Sequence, residues 1–270
     1  MFSLFSKKPI LDEGSANWMF EAYAWALRNF GSDFFRDETI LVTPTPRHFP
    51  DRAQPVEEVV ANSLKRVIGY AGMQNWPLQP LPLEACGGGD INPLVPLQIA
   101  NAPRGDKALV TTDSPYGIPV PFEPRQARTP ALLIAVFAYG LAQQLARAAR
   151  EPSPGGDELA PLAAELLAVF MGFGLFMANC ALEVGRGCSG CATGVQRLGY
   201  LTEDEFTYAL AIFCVLKDIP EQAVLPHLKK TLHSTFRRAV KELGDGRAED
   251  IARLRDIDVP IKQALAQAGT

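Results

Sequence analysis

Two long apolar stretches set in tandem, residues 132–149 and 159–182, constrain this chain more than any other feature. Apolar residues occur on every face of each stretch, which is the signature of a helix buried in a core rather than lying on a surface. Thr129 is placed as an N-cap with Pro130 at the first helical position, and Arg147 and Arg150 complement the dipole at the other end. Residues 151–156, rich in proline and glycine, form a connector, and Asp157 is the expected cap of the second helix, with Pro161 inside its tolerant first turn. The second stretch is long enough to span a bilayer. Glu165 and Asn179 inside it, and the glutamines of the helix before it, favour a core helix instead. Gly172 and Gly174 each cost about 1 kcal/mol in helix propensity, a cost that close approach of a neighbouring helix would offset.

The flanking sequence supplies smaller elements. A helix is predicted over 16–30, carrying Trp18, Tyr23 and Trp25 and closed by Gly31, and it is expected to pack on a sheet. Residues 39–43 read as a short strand ended by Pro44 and Pro46, and 56–71 as a helix between Pro55 and Gly72. The apolar runs 78–83, 94–99, 108–112 and 118–122 are punctuated by proline, which cannot donate to a ladder, so edge or irregular strands are expected. Thr202 and Glu205 make a capping box opening a helix to about 216. Pro220 opens another segment, which Pro226 interrupts and which ends near Gly244. Short amphipathic helices over 247–268 are separated near Pro260. The fold class is therefore α+β: an N-terminal helix and small irregular sheet in residues 1–125, then a mainly helical part in 126–270, the two packed as one unit.

With 270 residues, 47% of them apolar, the chain can bury a substantial core. Its 26 basic residues against 30 acidic ones give no overall positive field to hold a nucleic-acid backbone. The opening Met1-Phe2-Ser3-Leu4-Phe5-Ser6-Lys7-Lys8 has too short an apolar part for a secretory signal, and its lysines follow rather than precede it; a cytoplasmic location is expected. Lys229, Lys230, Arg237, Arg238 and Lys241 read as a solvated helix face.

Motifs that carry chemistry are sparse. Of the three histidines, His227 and His233 are six apart and fall on different helix faces, while His48 sits in a proline-flanked loop as a surface or packing residue. Cys188-Ser189-Gly190-Cys191 has a spacing that holds metals or undergoes redox exchange, and Cys180 could supply a third thiolate. A structural zinc takes four ligands, and Cys214 reads as a small buried hydrophobe. A glycine-rich turn with reduced thiols is the simpler reading, and no cofactor is expected. Residues 87–89 are three glycines without the Gly-Lys-Ser/Thr ending of a phosphate loop, and no G-x-S-x-G elbow occurs. Glu57-Glu58 and Glu203/Glu205 lie at helix starts, where the dipole accounts for them.

Trp18, Trp25, Phe30-Gly31, the run Val169-Phe170-Met171-Gly172-Phe173-Gly174 with Ala178-Asn179, and Arg197-Leu198-Gly199-Tyr200-Leu201 together resemble an uncharacterised group of bacterial cytosolic proteins with a zincin-like helix. The likeness runs from Asn17 to Pro220. It implies that the first core helix would carry His-Glu-x-x-His, with an acid on the next helix as third ligand. Glu165 stands at the acidic position, but the five-residue motif reads Tyr139-Gly140-Leu141-Ala142-Gln143. Tyrosine, glycine and glutamine supply neither metal ligands nor a general base at neutral pH. The expectation is a hydrogen-bonded cluster of Tyr139, Gln143 and Glu165 in place of a metal, in a non-catalytic, metallopeptidase-like protein that binds an unidentified protein partner. The alternative is a metal- or thiol-dependent hydrolase or redox enzyme built on Cys180, Cys188 and Cys191.

Overall fold

The computed structural model describes residues 9–50, 55–83, 95–181 and 200–260. Its helices are α1 (Glu13–Phe30), α2 (Ser32–Asp37), α3 (Val56–Ala71), α4 (Pro130–Ala146), α5 (Gly156–Ala168), α6 (Gly174–Cys180), α7 (Glu203–Leu216), α8 (Glu221–Val224), α9 (His233–Asp245) and α10 (Ala248–Arg255). Among the described residues, four strands, β1 (Leu78–Pro82), β2 (Gln98–Asn101), β3 (Ala108–Thr111) and β4 (Ile118–Phe122), complete an α+β fold. One apolar cluster runs from Leu11 to Leu254 and joins both halves of the chain. At its centre α4 packs against α3, α5, α6 and β4.

The first tryptophan helix packs on α2, α5 and α10, where a sheet was expected. Trp18 and Trp25 are seven residues, two turns, apart and share a face. Their indole Nε1 groups donate to the carbonyls of Pro154 at 3.0 Å and Glu151 at 2.9 Å, in the connector between α4 and α5. Asn29 Oδ1 accepts from the N–H groups of Arg150 and Glu151, so α1 clamps that connector from one side. The spaced tryptophans thus satisfy polar backbone where two core helices turn.

The prolines of β1 and β4 do not make the strands irregular. They pair in parallel register, Leu78 opposite Ile118 through Pro82 opposite Phe122. Ile118 N–H donates to Pro77 O and Leu83 N–H to Phe122 O, both at 2.8 Å. By the two-residue period of a strand, Gln79 and Leu81 then face the partner strand, as do Val120 and Phe122. Pro80 and Pro82 fall on the outer edge of β1, Pro119 and Pro121 on that of β4. Both free edges are stripped of donors without loss to the ladder, which guards them against added strands. Strands β2 and β3 form a separate antiparallel pair. The predicted strand 94–99 is displaced to Gln98–Asn101.

Two caps differ from expectation: Thr129 makes no side-chain cap bond, and α5 starts at Gly156 after a left-handed Gly155, leaving Asp157 in the first turn. The capping box of Thr202 and Glu205 is formed. The second apolar stretch is interrupted. Residues Val169–Phe173 make a π-helical turn in which Gly172 has φ +99°, and the helix is kinked there before α6 begins. Residues 39–43, expected as a strand, lie extended across this turn, with Val42 N–H donating to Gly172 O at 2.9 Å. A Cβ on Gly172 would sit 2.1 Å from Ile40 O, while one on Gly174 would meet Leu210 of α7 at 2.8 Å. Gly174 thus admits a neighbouring helix, as expected, whereas Gly172 admits an extended chain. The combined helix Gly156–Cys180 is long and apolar enough to cross a membrane, with mean hydropathy 1.9, but 78% of that window is buried inside the protein. Burial in the core accounts for its composition.

Candidate functional site

Helix α4 carries Tyr139 and Gln143 one turn apart, both half-buried, facing the α5–α6 unit. Tyr139 and Glu165 line the same cavity of ≈ 250 Å³, with Val136, Met177, Cys180 and Phe206 on its apolar wall. Glu165 is 1% exposed. Burial raises the Tyr139 hydroxyl pKa, the Glu165 and Tyr200 charges raise it further, and a hydrogen bond with Gln143 opposes them. Tyr139 thus shares a cavity with Glu165 and lies one turn from Gln143.

The carboxylate has other partners than those expected. Its Oε1 accepts from Tyr200 N–H at 2.8 Å and its Oε2 from Leu201 N–H at 2.7 Å. These two consecutive amides immediately precede the capping box of α7, so Glu165 ties α5 to the start of α7. Burial outweighs the amide bonds and lifts the carboxyl pKa from 4.5 to about 7. Backbone donors carry no side-chain signature, and for that reason sequence reasoning missed them.

Zinc does not fit this donor set. Gln143 offers an amide and Tyr139 a hydroxyl whose ionisation is suppressed, while both oxygens of Glu165 are engaged by backbone. At Gly140, where the resemblance would place a general base, a Cβ would lie 3.0 Å from Val120 Cγ1, because β4 packs on that turn of α4. No group of three His, Cys, Asp or Glu among the described residues is placed to hold a metal ion.

Cys188, Cys191 and Cys86, and the glycines at 87–89, lie outside the described residues. Cys180 is buried at the end of α6. Cys214 is 1% exposed within α7, and desolvation raises its thiol pKa. Its alkylation in the native protein is expected to be no faster than global unfolding. Mass-spectrometric labelling of Cys214 within minutes at pH 8 would contradict this burial. His48 is a packing residue: its Nδ1 accepts from Thr43 N–H at 3.0 Å, its ring meets Tyr70 edge-on, and burial lowers its pKa. Asn179 bridges His227 O and Lys229 N–H, pinning the turn before α9. Lys229, Lys230, Arg237, Arg238 and Lys241 are exposed, with Arg237 3.5 Å from Glu221, while Leu232, Phe236 and Ala239 between them are buried.

Set against family models, curated proteins and solved structures, the chain has no match in any of the three.

Proposed function

We propose that this chain is a catalytically silent member of a zincin-like, metallopeptidase-like group, working in the bacterial cytoplasm as a protein-binding or regulatory module. The observation that carries the reading is the donor set at the would-be metal position: Val120 packs against Gly140, and Glu165 accepts from the amides of Tyr200 and Leu201. Hydrolysis at such a site would need a metal-bound water and a base beside it. The residues present furnish a hydrogen-bonded strut instead. Burial of the apolar helix within the protein supports a location away from the bilayer.

The test is affinity capture with chelated, cysteine-alkylated chain, followed by reconstitution with the purified captured protein. A stoichiometric complex that survives both treatments, with the captured protein intact, is expected. Hydrolysis of that protein, or activity on peptide libraries that alkylation abolishes, would replace this reading with the thiol- or metal-dependent enzyme. Cys180 on the cavity wall beside Glu165 is the observation favouring that second reading.

A further inference from the structure

Arg104, in the turn between β2 and β3, is 0% exposed and has no carboxylate partner among the described residues. Its Nε donates to Ala71 O at 2.8 Å, the last carbonyl of α3, where the helix dipole favours a cation. Its Nη2 donates to Thr39 Oγ1 at 3.3 Å, and its guanidinium stacks 4.5 Å from the Phe34 ring centre and 5.8 Å from that of Phe170. Desolvation lowers its pKa to about 9, which leaves it a cation at neutral pH.

These contacts leave Nη1 over. It is the one buried side-chain nitrogen or oxygen among the described residues with no hydrogen-bond partner. An unpaired N–H on a buried guanidinium is expensive, and such exceptions mark strain or an absent ligand. Arg104 also lines a cavity of ≈ 320 Å³ together with Phe34, Tyr70, Gly72, Gly105 and Lys107. Two carboxylates share this wall: Asp106 is turned onto Gln74 Nε2 at 2.9 Å, and Glu38 is at the exposed end of α2. Gly72 and Gly105 have φ of +70° and +85°, and a Cβ on either would run into the Phe34 ring at 2.4 or 3.0 Å. The ring rests in a slot between glycines and covers the guanidinium.

We infer that Arg104 and this cavity bind a small oxyanion, the carboxylate or phosphate group of a ligand, which pairs with Nη1 after the Phe34 ring leaves its slot. A planar guanidinium with a free N–H edge matches such a group, and burial strengthens the pairing. None of these wall residues belongs to the Tyr139 cavity, so this site stands or falls independently of the proposed function.

The experiment titrates inorganic phosphate and acetate separately into the full chain at constant ionic strength, by calorimetry and by following the Arg104 Nε–H resonance. Saturable binding of at least one anion is expected, with the Arg104 resonance moving along the same isotherm and affinity falling about tenfold or more in Arg104→Lys. Preference for phosphate identifies a phosphorylated ligand, and preference for acetate a carboxylic one. No saturable binding by either anion, binding unchanged in Arg104→Lys, or an Arg104 resonance that stays still in the unaltered protein would each overturn the proposal. The resonance measurement decides the matter even where the variant fails to fold.

Discussion

Replacing Glu165 with alanine is expected to destabilise the protein by about 2–4 kcal/mol, because it strands the buried N–H of Leu201, takes the acceptor from the Tyr200 N–H and leaves a void where the side chain was. The same residue makes stability depend on pH in an unusual direction. Its folded-state pKa of about 7 lies above the ordinary 4.5. The native chain therefore keeps a proton that the unfolded chain releases between those values. A carboxyl raised in this way contributes most below about pH 4.5, and its contribution is lost as pH rises to about 7. The total change from this one group is on the order of 3 kcal/mol. Denaturant titrations at intervals across that window should show the unaltered protein losing stability with rising pH relative to Glu165→Gln, which has no proton to release. Parallel pH profiles for the two chains would show that Glu165 is not held as described.

Gly172→Ala is expected to be comparably severe, at about 3–5 kcal/mol. The φ of +99° is outside the range an alanine adopts without strain, and its methyl would meet the Ile40 carbonyl at 2.1 Å. Relief requires residues 39–43 to lift away, which breaks the bond from Val42 N–H to Gly172 O and uncovers the π-helical turn. Gly244→Ala is the control: it lies in the last turn of α9, and a Cβ there meets nothing within 4 Å. Equal midpoints for the two variants in thermal unfolding would contradict the packing of the extended segment on this turn.

Much of the helical part was legible because it rests on local rules. The bounds of α3 follow from Pro55 and Gly72, and those of α7 from its capping box. What escaped was non-local. The period of residues 39–43 suits a strand, yet their hydrogen bond goes to a kinked helix that no pattern in 39–43 announces. The prolines of β1 and β4 signalled edges correctly, but only the parallel register shows that they occupy alternate, outward positions. At the candidate site, the one-turn spacing of Tyr139 and Gln143 could be read from sequence, whereas the partners of Glu165 are backbone amides. Arg104 stood unremarked in a Pro-Arg-Gly turn, since nothing in that tripeptide tells a buried guanidinium from a solvated one.

The central claim, the proposal that Tyr139, Gln143 and Glu165 form a polar strut and not a metal site, is tested most directly by elemental analysis of protein purified without an affinity metal and then incubated with zinc. The Cys188→Ser/Cys191→Ser chain should be measured beside the unaltered one, so that thiolate-bound metal is counted separately. The account predicts no stoichiometric zinc in the double variant, and the same value when Glu165→Gln is added. About one zinc per chain that persists without Cys188 and Cys191 and disappears with Glu165→Gln would contradict it.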